Sequence, residues 1–452
     1  MSINLTFFGG VGSVTGANFL LELDTTKVLI DCGLIQGDKE AQEQNRKCFE
    51  YNPSDIDFLF ITHAHLDHIG LIPKLVKDGF NGIIYSTAET MALSRLILED
   101  AVNILEKEAM DIGIPVLYDV EDINKAFILW KTIPYHTEIK FDNRFSVFLK
   151  DPGHILGASM IEFAYNNKRI LFTGDLGNTP TPLLRDTESV DGIDYLIMES
   201  VYGDRNHESR DERKDKLENI IKDTINKNGT LVIPAFSMER TQIILYELNS
   251  LIESNAIPSI PVFVDSPLAT KITEIYKSST YLFNKKAQEQ INNGDDIFNF
   301  PKLSFTVSSK ESKEIDHSRS PKIIIAGSGM SMGGRVIHHE EVYLSDPRNT
   351  ILLVGYQTMG SLGRHLLNGE KKVLINKNEI LVKAKIESIL GYSSHKDSDH
   401  LIQFVNTAGY TVKKIFIVMG EPKASLFLVQ KIRDNLDLNA IYPERLKRYE
   451  LG

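Results

Sequence analysis

Residues 56–62, Ile-Asp-Phe-Leu-Phe-Ile-Thr, form a near-continuous apolar run that empties into His63-Ala64-His65-Leu66-Asp67-His68. Such a run reads as a strand buried on both faces. After it, Ile69, Ile72, Leu75 and Val76 fall at helical spacing, and Gly79 stops the helix. The histidine-rich loop therefore sits at the carboxyl end of a strand, where active sites of layered α/β folds concentrate. Catalytic zinc takes neutral imidazole nitrogen and carboxylate oxygen and keeps a position open for water. His63 and His65 place two imidazoles on one turn, and Asp67 and His68 add a second pair at the mouth of the helix. Four ligands in six residues exceed what one tetrahedral site needs, so two adjacent metals are the natural reading.

One segment cannot complete two coordination spheres. His154 follows a strand and is flanked by Gly153 and Gly157, which let the backbone approach closely. Asp175, within Thr173-Gly174-Asp175-Leu176-Gly177, ends another buried strand in a glycine turn, and His395 precedes a helix that begins at 396. All three occupy strand-to-loop positions.

At 452 residues the chain predicts two or three domains. Short strands separated by turns fill residues 1–200, and buried-looking strands alternate with helical stretches over 201–356, which implies parallel βαβ units with their own sheet. Residues 357–452 read as a strand pair at 371–386 and a helix-strand-helix at 396–435. Two cysteines, Cys32 and Cys48, cannot build a disulfide scaffold, which fits a reducing, cytoplasmic location. No apolar stretch approaches the ~20 residues that span a bilayer, and the first twenty residues, without Lys or Arg, do not resemble a secretory signal. The net charge of −11 argues against a nonspecific nucleic-acid binder. It is uneven: residues 371–452 carry 14 Lys+Arg against 9 Asp+Glu, a net of +5, which leaves −16 for residues 1–370.

Together, HAHLDH, the downstream His154 and Asp175, and LIDCG around Asp31 resemble the metallo-β-lactamase superfamily. MESVYGDR (198–205), GSLGRHL (360–366) and GYSSHKD (391–397) resemble motifs A, B and C of its β-CASP nucleases, with Glu199, His365 and His395 at the key positions. PAFSMERTQ (234–242), VDSPLA (264–269) and AGSGMSMGG (326–334) resemble segments of the inserted domain in that family. The resemblance runs from Phe8 to about Phe404. It departs from the family pattern at Met359, where an acidic residue is usual, and at Tyr392-Ser393-Ser394-His395, where Phe-Ser-Ala-His is common.

The resemblance implies a four-layer αβ/βα metallo-β-lactamase fold with an inserted β-CASP α/β domain. It implies one Zn2+ on His63, His65 and His154, a second on Asp67, His68 and His395, and Asp175 bridging the two. Asp31 would orient the ligand loop, His365 would act as general acid, and Glu199 would orient it. The implied reaction is hydrolysis of single-stranded RNA, endonucleolytic with some exonucleolytic trimming; DNA is a less favoured substrate. The glycine-rich turn with Ser328, Gly329, Gly333 and Gly334 can present backbone N–H groups to a phosphate. Ser237 and Arg240 would add contacts by the same logic, and Arg205, Arg364 and Lys396 are candidate local cations. Rival readings are a metallo-hydrolase of a small ester or phosphodiester and a catalytically silent RNA-binding subunit. With no separate RNA-binding domain in view, intrinsic specificity is expected to be low or to come from homodimerisation, and no membrane partner is expected.

Overall fold

The computed structural model describes residues 2–37, 39–141, 145–208, 210–355, 357–358 and 360–452. The chain forms two compact units. Met1–Asn206 and His395–Gly452 make the first, and His207–Ser394 make the second.

The first unit holds two seven-stranded sheets. One runs Arg448–Glu450, Ile3–Phe7, Phe19–Leu23, Thr26–Ile30, Phe58–Phe60, Ile83–Ser86, Trp130–Thr132. The other runs Ala440–Ile441, Lys414–Val418, Tyr195–Glu199, Lys168–Phe172, Met160–Tyr165, Phe145–Lys150, Ile139–Phe141. Side chains alternate faces along each strand, and both faces of each sheet are apolar. Phe58 and Phe60 join Ile170, Phe172, Ile197 and Phe416 in the core between the sheets. Leu59 and Ile61 point the other way and pack with Ile72, Leu98 and Ile123 of the covering helices. On the far side Leu171, Leu196 and Ile415 meet Leu401, Leu428 and Ile432 of the helices Ser398–Thr407 and Pro422–Leu436. The result is helix, sheet, sheet, helix, the expected four layers. Trp130 packs on Phe127 and donates to Ser86 Oγ at 2.9 Å, a purely structural role.

The second unit is a six-stranded parallel sheet in the order Leu303–Phe305, Val262–Asp265, Lys322–Ala326, Thr230–Pro234, Thr350–Leu353, Lys385–Ser388. The sequence boundary at 356 differs from this arrangement. Lys385–Ser388 pairs with Thr350–Leu353 and Ile389 N donates to Leu353 O, so the second unit continues past 356, to Ser394. Of the strand pair expected at 371–386, Lys372–Ile375 and Asn378–Leu381 form a separate hairpin. Among the described residues no helix is long and apolar enough to cross a membrane.

Candidate metal centre

The strand Phe58–Phe60 and the short helix Leu66–Ile69 bracket the histidine loop. Asp31, fully buried, organises it from the neighbouring strand. Its Oδ1 accepts from Thr62 N at 2.8 Å, and its Oδ2 accepts from Thr62 Oγ1 at 2.8 Å and lies 2.7 Å from His68 Nδ1. With Nδ1 so occupied, His68 turns Nε2 inward. Thr62, which sequence reasoning passed over, also brings Oγ1 to 3.0 Å from His63 Nδ1. Gly33 makes room for the loop, since a Cβ there would sit 1.6 Å from Asp67 O.

Two more loops bring Asp175 and His154 to the same point. His63 Nε2 lies 3.0 Å from His65 Nδ1 and 3.3 Å from Asp175 Oδ2. His154 Nε2 lies 3.3 Å from His65 Nδ1 and 3.5 Å from Asp175 Oδ2. One ligand atom from each of these four residues falls within 4.8 Å of the others, a spacing that could hold a metal ion. Asp175 Oδ1 faces a second group: His68 Nε2 stands 3.5 Å from it and 3.7 Å from Asp67 Oδ2. Both His68 Nε2 and Asp175 Oδ1 are buried without a hydrogen-bond partner. Buried polar atoms left in this state are costly unless something binds them, and a divalent cation is the ligand that imidazole and carboxylate share. The residues fit a metal.

His395 Nδ1 lies 3.9 Å from Asp175 Oδ2 and 3.3 Å from Glu199 Oε1, so Asp175, Glu199 and His395 form a further metal-competent cluster. Glu199 is fully buried and also accepts from Leu176 N at 2.5 Å and Val201 N at 3.3 Å. Glu199 thus faces His395 and the Asp175 loop. His365, in the second unit, has its Nδ1 2.6 Å from Glu370 Oε1.

Burial favours ligation at two of the histidines. Burial, reinforced by the neighbouring His63, holds His65 well below the ordinary histidine range, and burial does the same to His154. Both present neutral nitrogen at neutral pH, the form a metal requires. Burial alone would push Asp175 up, but His68, His63 and His395 outweigh it and hold the carboxylate anionic.

The substrate candidates of the second unit gather at one place. The chain leaves Thr230–Pro234 toward Val262–Asp265 on one side and leaves the adjacent Lys322–Ala326 toward Thr350–Leu353 on the other. Connections that diverge from neighbouring parallel strands open a crevice at their carboxyl ends, where ligands of open α/β sheets bind. Phe236 and Ser237 follow the first strand, and the turn 327–334 follows the second. Ser328 N donates to Gly333 O at 3.1 Å, Ser328 Oγ accepts from Met332 N at 3.1 Å, and Ser237 Oγ is 3.2 Å from Ser266 Oγ. Gly329 packs on the Phe236 ring, and Gly334 takes φ 74° to close the turn.

Arg240 departs from the expected phosphate contact: it is buried, 6.0 Å from the Tyr392 ring and 3.7 Å from Glu239. Lys396, expected as a local cation for substrate, is buried as well and bonds to Gly177 O and Thr179 Oγ1. Arg205 does remain half-exposed, over Tyr202. His338 and His339 diverge to Asp316 and Asp265, so they share no ion. Met359 lies outside the described residues.

Comparison with known proteins agrees with this arrangement. Family models match for the metallo-beta-lactamase superfamily over residues 12–233, the Beta-Casp domain over 241–366, and the Zn-dependent metallo-hydrolase RNA specificity domain over 379–443. Ribonuclease TTHA0252 of Thermus thermophilus is 31% identical over 93% of this chain and 94% of its own length. An RNase J-like protein of Methanocaldococcus jannaschii is 30% identical over 98% of each chain. Transcription termination factor FttA of Methanosarcina mazei is 30% identical over 96% of this chain and 70% of its own length. A crystal structure of a protein of unknown function from Enterococcus faecalis V583 shares the fold, with a TM-score of 0.60 over the whole of both chains at 14% identity. Identity of this extent over nearly the whole of two relatives, together with the three matched family models, makes the chain a member of the metallo-beta-lactamase superfamily, in its Beta-Casp branch.

Proposed function

We propose that this protein is a two-zinc ribonuclease that hydrolyses phosphodiester bonds of single-stranded RNA. The observation that carries the reading is the pair of buried, unpartnered atoms His68 Nε2 and Asp175 Oδ1, 3.5 Å apart, beside a separate four-residue cluster on Asp175 Oδ2. Bound divalent cations would satisfy both. His63, His65 and His154 would hold one, Asp67, His68 and His395 the other, with Asp175 shared. Two divalent ions so held supply the charge that stabilises the attacking and leaving oxygens of an in-line phosphoryl displacement.

The protein's own groups do the rest. Asp31 fixes the tautomer of His68 by accepting at Nδ1. Glu199 holds His395 through Nδ1 and the Asp175 loop through Leu176 N. His365 protonates the departing ribose oxygen as general acid, and Glu370, 2.6 Å from its Nδ1, orients that ring. Ser237, Ser328 and the turn at Gly329, Gly333 and Gly334 position the phosphate backbone, contacts that hold a strand without reading its sequence. Arg240 acts from inside the unit, by packing on Tyr392. RNA is favoured over DNA by the match to an RNA specificity domain and by relatives named as ribonucleases.

The test is cleavage of a fluorescent single-stranded RNA and its matched DNA by zinc-loaded protein. The expected result is RNA cleavage abolished by chelation and restored by zinc. Cleavage that persists in excess chelator, or hydrolysis of small esters with no action on RNA, would contradict the proposal.

A further inference from the structure

We propose that Lys396 is a positioning residue that locks the loops carrying His154, Asp175 and His395 into one rigid cage. The inference rests on the metal-centre reading above. Lys396 adjoins His395 in sequence, yet only 4% of it is exposed. Its Nζ donates to Gly177 O at 2.8 Å and to Thr179 Oγ1 at 2.7 Å, both on the loop that follows Asp175. Its backbone N donates to Leu176 O at 2.8 Å, and His395 pairs with Gly177 as an isolated antiparallel bridge. The His395 segment is therefore stitched to the Asp175 loop at Leu176, Gly177 and Thr179.

The same spot grips the His154 loop. Gly177 N donates to Pro152 O at 2.8 Å, and a Cβ on Gly177 would sit 1.8 Å from Gly153 O. Thr187 Oγ1 donates to Pro152 O at 2.8 Å and lies 3.2 Å from Thr179 Oγ1, the hydroxyl that Lys396 also holds. Lys396 stands at the crossing of three ligand loops that are remote in sequence.

Burying an ammonium is costly unless its donors are satisfied. The acceptors reached here are a carbonyl and a hydroxyl, so the charge contributes no direct ion pair with a ligand carboxylate. What it does contribute is reach: a flexible four-carbon stem with several donors joins two acceptors that no shorter side chain at 396 would span. Groups that orient metal ligands typically govern metal affinity by about 10–100-fold.

The experiment compares zinc affinity, by competition with a chromogenic chelator, for the wild-type chain, Lys396→Met and Thr179→Val. Zinc stoichiometry, circular dichroism and thermal unfolding are read alongside. Lys396→Met, which keeps the stem and removes the donors, is expected to bind zinc about 10–100-fold more weakly with secondary structure unchanged. Thr179→Val, which removes one acceptor, is expected to weaken it several-fold in the same direction. Wild-type zinc affinity in both variants overturns the proposal. Should Lys396→Met fail to fold, Thr179→Val decides by the same criterion. A wild-type chain that binds no zinc overturns the metal-centre reading, a result distinct from unaltered variants of a zinc-binding parent.

Discussion

Asp31 Oδ2 and His68 Nδ1 stand 2.7 Å apart in the interior of the first unit, and this contact decides which nitrogen of His68 faces Asp175. The carboxylate also accepts from Thr62 N and Thr62 Oγ1, so it cannot swing away without leaving three groups unpaired. Asp31→Asn replaces one acceptor oxygen by a donor. It should lower zinc affinity about 10–100-fold while far-ultraviolet circular dichroism stays unchanged. Titration against a chelator checks this, and unaltered affinity would remove Asp31 from the account.

His365→Ala should slow RNA cleavage about 10²–10⁴-fold, the usual contribution of a general acid, and leave two zinc ions per chain by elemental analysis. Its location in the second unit, away from any zinc ligand in sequence and paired with Glu370, is why metal content should not change. Loss of zinc in this variant would instead make His365 a ligand.

Gly33→Ala should destabilise the ligand loop, because the added Cβ would meet Asp67 O at 1.6 Å against main chain that cannot yield. Overpacking of this kind costs about 1–3 kcal/mol or more. Thermal unfolding should show a lowered midpoint, with zinc binding weakened in step. A midpoint equal to wild type would mean the loop adapts freely.

Much of this centre was legible in the sequence, because metal ligands must be His, Asp or Glu at strand ends and glycine marks where loops crowd. His63, His65, His154 and Asp175 needed no more than that to be singled out. The fate of Lys396 was not legible. A lysine beside motif residues looks like a surface cation, and only the fold of the 173–179 loop over it shows that it is buried. Likewise Lys385–Ser388 carries one exposed and three half-buried residues, with no apolar periodicity to announce that it completes the second unit's sheet. Glu199 could be read as an important carboxylate, but whether it faces His395 depends on Leu176 N and Val201 N drawing it inward.

The second unit makes its own pH prediction. Asp265 is fully buried; burial alone would raise its pKa, but His339, Ser312, Thr306 and Arg335 hold it below the usual carboxylate range. A depressed folded-state pKa gives stability that is present above the unfolded value, about 4, and is lost as pH falls toward the folded one. The full chain should therefore lose stability below about pH 4 more steeply than Asp265→Asn does. At neutral pH that variant should be destabilised by about 3–5 kcal/mol, the scale for breaking a buried charge network. Parallel thermal melts across pH check both; identical acid limbs would remove Asp265 as the cause.

Metal ions bound around Asp175 are expected to drive RNA cleavage. The most direct measurement is the cleavage rate of a labelled single-stranded RNA by the Asp67→Ala, His68→Ala double variant, set against wild type at equal zinc. Loss of activity with the fold intact is the result predicted; undiminished cleavage would contradict the two-metal account.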